Sequence, residues 1–273
     1  MSCLPTRKLS PYGLRVNLLG FGTTWFGRPW PPGNSTYTDP DSLEITDYLN
    51  SAYSALVDKT ALMVIDTSSS YGSSEKKLGQ YFKQHSGLLP LSIIATKWGE
   101  EFEPTSGESR LDHSRQHLRN SLQRSLSYLG KIDLLYIHRT SKDVLQDKNV
   151  IEEMERVKQN GQLAYIGASF SNEKTLEVAV NESLINWCDV IQMPASVFLK
   201  RPDLINIIRM DNTAVVVNSP IRKGENKSPS DIYAALIKQK DISVILTGTR
   251  NHLSETLDYF SSDHKIYTKQ NPN

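Results

Sequence analysis

Eight short apolar stretches, each followed by an amphipathic segment, predict a (β/α)8 barrel. The stretches are VNLLGFG (16–22), LMVIDT (62–67), LSIIATK (91–97), IDLLYIH (132–138), LAYIGAS (163–169), DVIQMPA (189–195), AVVVNSP (214–220) and ISVILTG (242–248). Most are continuous apolar runs rather than alternations, the pattern of strands covered on both faces, as in a parallel sheet. A helical pattern lies between each consecutive pair, and NHLSETLDYF follows the last. Such a series suits a barrel of 273 residues. No linker rich in Pro, Gly or Ser divides the chain, so residues 1–273 are expected to form a single domain.

Each element has local support. The opening TRKLSPYGLRVNLLG reads as a β-hairpin turning at Ser10-Pro11-Tyr12-Gly13, placed to close the bottom of the barrel. Helical segments follow in DSLEITDYLNSAYSAL, SSEKKLGQYFKQ, SRQHLRNSLQRSLSYLG, NVIEEMERVKQNG, EKTLEVAVNESLI, RPDLINIIRM and SPSDIYAALIKQ. Gly130 and Gly161 stand just past helix ends, Ser114 and Ser74 at N-caps, and Pro229 in a first turn. A doubly wound open sheet would want a Gly-rich phosphate loop after its first strand. LLGFGTTWFGRPW does not match GxGxxG leading into a helix, which sets that fold aside. Two connections are long, residues 25–41 and 98–113, and both leave the carboxyl ends of strands, where a barrel carries its chemistry.

Composition narrows the functions. A hydrophobic content of 38% and mean hydropathy of −0.42 are those of a soluble protein. The formal charge of +1 gives no general attraction to nucleic acid or an anionic membrane. No apolar run approaches the roughly 18 residues of a membrane span, and MSCLPTRKLSPYG lacks the apolar core of a secretion signal. Cys3 and Cys188 offer no disulfide framework. A cytoplasmic location is therefore expected. His113 and His117 have the i, i+4 spacing of a metal pair, but no catalytic Glu lies between them and no third ligand is evident. No metal is expected.

The strand ends hold the chemistry. Asp66 ends the second apolar run, Tyr71 follows in a Ser/Thr-rich turn, Lys97 ends the third run and His138 the fourth. A carboxylate, a phenol, an ammonium and an imidazole converging on one cleft form an acid-base constellation. A free phenol, with pKa about 10, is a poor acid near neutrality. An ammonium beside it favours the phenolate, and a carboxylate beside the ammonium keeps it charged and aimed. These roles fit Tyr71 as proton donor, Lys97 as its activator and Asp66 as the partner of Lys97. His138 would donate a hydrogen bond to the substrate oxygen.

Over nearly its whole length the chain resembles the aldo-keto reductases. The matching segments are LGFGTTWFG, DTSSSYGSSEKKLG, IIATKWG, SLQRSLSYLGKIDLLYIHR, VKQNGQLAYIGAS, VIQMPAS, VNSPIRKG and VILTGTRN, in family order. The resemblance implies a nicotinamide-dependent enzyme acting on a small carbonyl compound, with catalytic positions at Asp66, Tyr71, Lys97 and His138. It places Gly22, Thr23, Thr24 and Asp66 near the nicotinamide ribose and Ser169 and Gln192 at the carboxamide. Ser219, Ile221 and Lys223 fall along the pyrophosphate, and Thr249, Arg250, Asn251 and Glu255 around the adenosine phosphate. A guanidinium at Arg250 would suit a 2'-phosphate, favouring NADPH over NADH.

The chain also departs from the family. Phe170 stands where an asparagine is usual, and Asn218 where an aromatic residue is common. The segment after Arg250 is short, and only 18 residues follow Glu255. The substrate walls are therefore expected from Trp25, Phe26, Trp30 and Trp98 in the two long loops, while Trp187, before the sixth strand, reads as structural. Two rivals stand beside the reductase: a nicotinamide-binding sensor or interaction subunit with little turnover, and a barrel with unrelated chemistry such as a lyase.

Overall fold

The computed structural model describes residues 4–9, 13–29, 34–55, 60–210, 212–221 and 227–267. A hairpin of β1 (Thr6–Leu9) and β2 (Leu14–Asn17) comes first, followed by β3 (Leu19–Gly22), α1 (Ser42–Ser54), β4 (Met63–Asp66), α2 (Ser74–Gln84) and β5 (Ser92–Trp98). A second hairpin, β6 (Glu100–Phe102) and β7 (Ser109–Leu111), precedes α3 (Arg115–Leu129) and β8 (Leu134–Ile137). Then come α4 (Lys142–Gln146), α5 (Lys148–Gln159), β9 (Tyr165–Ser169), α6 (Glu173–Asn181) and β10 (Val190–Pro194). The remainder is α7 (Ala195–Lys200), α8 (Pro202–Met210), β11 (Ala214–Asn218), α9 (Pro229–Ile237), β12 (Val244–Thr247) and α10 (Leu253–Tyr267).

Eight parallel strands close into a barrel in the order β3, β4, β5, β8, β9, β10, β11, β12 and back to β3. All eight expected stretches are barrel strands. Their alternating inward residues, Val64, Ile93, Leu134, Tyr165, Val190, Ala214, Val216 and Val244, fill the interior together with Leu9 and Val16 of the first hairpin. The hairpin therefore plugs the amino-terminal end, as its position implied. Its register pairs Leu9 with Leu14, and of the expected turn residues Ser10, Pro11 and Tyr12 lie outside the described ones. The outward faces of the strands meet the apolar stripes of the helices in a second, larger core. Each aliphatic side chain buried there contributes about 1.5–3 kcal/mol.

Caps fix the helix ends. Ser114 accepts a hydrogen bond from His117 N, and Gly130 ends α3 in the left-handed region at φ 75°. Ser228 caps α9, with Pro229 at its start. One expected cap differs. Ser74 lies inside α2 rather than before it, and its hydroxyl donates toward Thr23 O (2.9 Å) and Thr23 Oγ1 (2.8 Å), tying the helix to the first barrel loop instead. The 98–113 connection contains the unexpected hairpin of β6 and β7, which carries an acidic residue into the barrel mouth. No described helix is long and apolar enough to cross a membrane.

Candidate active site

Strand register brings the first three residues together. Asp66 ends β4 opposite Ala95 of β5, and Lys97 lies two residues further along β5, opposite Tyr136 of β8. His138 follows β8 directly, its backbone N–H bonded to Trp98 O at 2.8 Å. The turn after β4 is strapped across β5: Thr67 N donates to Ala95 O (2.8 Å), Ser69 Oγ to Lys97 O (3.0 Å) and Tyr71 N to Ser68 O (3.0 Å). Gly72 then adopts φ 57°, and a Cβ there would stand 2.0 Å from Gly27 O. Only glycine permits both the left-handed backbone and that approach, which seats Tyr71 over the mouth.

Lys97 is 1% exposed. Its ammonium donates to Asp66 Oδ1 and to Thr67 O (2.8 Å). Burial disfavours the ammonium, but the Asp66 carboxylate and then the Tyr71 hydroxyl outweigh it, so the pKa of Lys97 lies above its ordinary value. Lys97 Nζ is 5.1 Å from the Tyr71 ring centre, and the Tyr71 and His138 rings meet edge to face with centroids 6.0 Å apart. The four expected residues thus share one cleft. Burial, followed by the nearby charges of Lys97, Arg139 and Arg28, holds the His138 pKa well below the usual imidazole value.

A second polar chain adjoins Asp66. Gln192 Nε2 donates to Asp66 Oδ2 (2.8 Å), while Gln192 Oε1 accepts from Ser169 Oγ (2.9 Å) and Asn218 Nδ2 (3.1 Å). Asn218, where the family often has an aromatic side chain, therefore orients Gln192. Phe170 is buried in the outer core. This hydroxyl and amide set at the ends of adjacent strands has the donors and acceptors a nicotinamide carboxamide requires, so the residues fit the cofactor at that end.

The other candidates are dispersed. Thr23 is buried, and its hydroxyl donates to Asp66 O at 3.1 Å, so it braces the mouth rather than facing it. Gly22 and Thr24 flank it on β3 and the turn beyond. Ser219 lies past β11 with φ 48°, a strained conformation for a residue with a Cβ. Ile221 is exposed, and Lys223 and Trp30 lie outside the described residues. Thr249 Oγ1 accepts from His252 N (3.0 Å) at the start of α10. Exposed Glu255 pairs with His252 at 3.3 Å, and Asn251 is exposed.

Arg250 is already engaged, through Nε to Glu44 Oε1 (2.5 Å), Nη2 to Glu44 Oε2 (2.6 Å) and Nη1 to Thr38 O (2.7 Å), with Trp25 beneath it. A phosphate at Arg250 must take over bonds now made by Glu44. The aromatic walls also need correction. Phe26 and Trp98 have no exposed surface, and Trp25 has 6%, because they pack against Tyr48 or against His113 and His117. Trp187 donates to Leu184 O (2.9 Å) and packs on the core, in keeping with a structural role. His113 Nε2 lies 2.8 Å from His138 O, and His117 Nδ1 lies 3.5 Å from Glu101. Among the described residues no cluster of three metal-ligating groups occurs.

The sequence reading missed Arg28 and Glu100. Arg28, 5% exposed, donates from Nη1 and Nη2 to Glu100 Oε1 (3.3 Å each), to Ser70 O (3.1 Å) and to Ser109 Oγ (2.8 Å). Glu100, 2% exposed, places Oε2 3.1 Å from His138 Nδ1 and accepts from Ser70 Oγ (3.1 Å). Opposite charges in the two long loops were the available signal.

The sequence profile of the aldo/keto reductase family matches residues 18–232. A Schizosaccharomyces pombe protein, aldo-keto reductase yakc [NADP(+)], is 30% identical over 178 residues, covering 62% of this chain and 52% of its own. The chain thus spans about half the length of the curated relatives it matches. A solved Pseudomonas aeruginosa protein described as an aldo-keto reductase superposes with a TM-score of 0.78 at 25% identity, covering 97% of each chain. A Bombyx mori aldo-keto reductase solved in complex with NADP shares the fold, with a TM-score of 0.64 and 19% identity over 95% of this chain and 89% of that one. Four acid-base residues at and just beyond the ends of three successive strands of a closed barrel, and a profile match over most of its length, make this chain a member of the aldo/keto reductase family.

Proposed function

We propose that the protein, as a single barrel domain over residues 1–273, is an NADPH-dependent oxidoreductase that reduces an aldehyde or ketone to an alcohol, with Tyr71 as proton donor. The observation that carries this reading is the buried Lys97 ammonium, held charged by Asp66 and standing 5.1 Å from the centre of the Tyr71 ring. NADPH, when bound, supplies the hydride. Tyr71 gives its proton to the carbonyl oxygen, and the positive charge of Lys97 stabilises the phenolate left behind. Asp66 fixes the ammonium while its second oxygen holds Gln192, which with Ser169 would bind the carboxamide. His138 lines the same cleft and orients the substrate.

Thr249, Arg250 and Asn251, at the amino end of α10, would receive the adenosine phosphate, with Glu255 beside them. Gly22, Thr24, Ser219, Ile221 and Lys223 would contact the rest of the cofactor. The name of the Schizosaccharomyces pombe relative supports NADP(+) as the nucleotide. A second reading, a nicotinamide-binding sensor or interaction subunit with little turnover, is favoured by Phe170 and Asn218, which stand where the family usually has an asparagine and an aromatic residue.

The test is loss of NADPH absorbance with a panel of aromatic and aliphatic aldehydes, beside Tyr71→Phe. Turnover reduced about 10²–10⁴-fold in the variant, with cofactor affinity kept, is the expected result. Undiminished turnover removes Tyr71 as donor. Saturable NADPH binding with no turnover of any carbonyl leaves the sensor.

A further inference from the structure

Two charge pairs at the cleft balance, and one cation beside them does not. Lys97 is matched by Asp66 and Arg28 by Glu100, and all four side chains are buried. Arg139, next to His138 in the chain, is left over. Its side chain is 47% exposed, and Nη1 lies 3.7 Å from Glu100 Oε1, beyond hydrogen-bond distance. Among the described residues Glu100 is the one acid within ion-pair reach of Arg139, and the guanidinium donates no hydrogen bond to any of them. Glu100 is already held, since Arg28 donates twice to Oε1 and Ser70 Oγ once to Oε2. Arg139 therefore brings a full charge and a fork of unused N–H donors to the rim of the site.

The backbone fixes Arg139 in that place. On one side His113 Nε2 lies 2.8 Å from His138 O. On the other, Thr140 N donates to Ser169 O (3.2 Å), and Thr140 Oγ1 donates toward Ile137 O and Ser169 O (3.1 Å each). Between these anchors Arg139 adopts φ 49°, a left-handed conformation disfavoured for a residue with a Cβ and kept only where the surroundings impose it. The Glu100 carboxylate stands 3.1 Å from His138 Nδ1 and 3.7 Å from Arg139 Nη1, so the guanidinium is within the span of one carboxylate of the imidazole.

We propose that Arg139 is a substrate-binding residue, and that favoured carbonyl compounds carry an oxyanion group, a carboxylate or a phosphate, several atoms from the reacting carbon. This deepens the reductase reading and rests on it. With the carbonyl oxygen at Tyr71 and His138, the far end of such a substrate reaches the rim. There a guanidinium holds an oxyanion through two parallel N–H bonds, a geometry that an ammonium does not offer. Half-exposure leaves the Arg139 side chain free to swing onto its ligand, and its unbalanced charge draws anions toward the mouth.

The test compares 4-carboxybenzaldehyde with methyl 4-formylbenzoate, which keeps the ring and the aldehyde but removes the charge. Wild type should favour the acid in kcat/KM by about tenfold, the worth of a charge-assisted pair at a half-exposed site. That preference should collapse between about 0.01 M and about 1 M salt, as the screening length falls from about 30 Å to about 3 Å. Arg139→Gln should bring the ratio of acid to ester close to parity, and Arg139→Lys, which keeps the charge without the fork, should retain part of it. A ratio that is the same in wild type and Arg139→Gln overturns the proposal. So does a wild-type ratio at or below parity, a result that needs no variant to fold. If wild type turns over no carbonyl, the reductase reading fails, and calorimetric titration with 4-(hydroxymethyl)benzoate in the presence of NADPH decides the subsite. Binding about tenfold weaker in Arg139→Gln supports it, and equal or absent binding overturns it.

Discussion

Replacing Asp66 with asparagine tests the charge arrangement at the centre of the site. In the wild type the Lys97 ammonium, 1% exposed, has Asp66 as its only anionic hydrogen-bond partner among the described residues, with Thr67 O at 2.8 Å as a neutral one. Asp66→Asn keeps the shape but removes the charge. Breaking a buried ion pair from one side costs about 3–5 kcal/mol, because the remaining charge is left uncompensated. The new amide also presents an N–H to Lys97 or to Gln192 Nε2, setting donor against donor, which costs about 1 kcal/mol more. The Thr67 carbonyl offsets part of this, so a net loss of about 4 kcal/mol is expected at pH 7, on the order of 10 °C in Tm.

The pH dependence identifies the cause. Wild-type Lys97 has a folded pKa above its unfolded value, so its contribution is fully present below the unfolded pKa and is lost only as pH rises through the folded one. Without Asp66, burial dominates and the folded pKa falls below the unfolded value. The unfolded state then binds more protons in that window, and stability of the variant rises with pH. Urea unfolding of both proteins at pH 7 and pH 9 is the assay, with equal m-values as the control. A loss below about 1 kcal/mol, or one that does not shrink at pH 9, refutes the reasoning.

Four further expectations follow from buried acids and the cofactor end. Glu75 is buried, and burial raises its pKa while Thr96 Oγ1 (2.5 Å) and Ser125 Oγ (2.9 Å) bond its oxygens. An acid with a raised folded pKa loses stability as pH rises from its unfolded value through its folded one, so Glu75→Gln should be more stable than wild type at pH 7, with a smaller gain at pH 5 by thermal unfolding. Glu153, with no exposed side-chain surface, is bonded by Arg115, Arg119 and Arg156, of which Arg119 and Arg156 do most to hold its carboxyl well below the ordinary carboxylate range. That contribution is present above the unfolded pKa and is lost as pH falls through the folded one. Glu153→Gln should therefore lower the Tm at pH 7, with the difference narrowing under acid. Arg250→Ala should weaken NADPH at least tenfold, as loss of a charge-assisted pair implies, and leave NADH nearly unchanged in a fluorescence titration. Glu44→Gln, which frees Arg250, should tighten NADPH; equal effects on both nucleotides would remove Arg250 from 2'-phosphate recognition.

The barrel was legible because its strands are covered on both faces and so stand out as continuous apolar runs, from Leu62–Ile65 to Val244–Leu246. The strand ends were legible for the related reason that Asp66, Lys97 and His138 interrupt those runs with polar chemistry. What escaped was set by contacts remote in sequence. Arg28 and Glu100 are 72 residues apart, and Arg250 and Glu44 are 206 apart, so no local period links them. Ser74 has the residue type of a cap but bonds Thr23, 51 residues earlier in the sequence. Phe26 and Trp98 read as pocket walls because the sequence assigned them to long loops, but Trp98 ends β5 and both side chains pack into the core.

The most direct test of the central claim uses NADPH carrying deuterium at the transferable nicotinamide position, with the best aldehyde from the panel. Wild type should place one deuterium on the carbinol carbon of the alcohol, and Tyr71→Phe should form that product far more slowly. Alcohol formed without deuterium, or deuterated product at the wild-type rate from Tyr71→Phe, would contradict hydride transfer with Tyr71 as the proton donor.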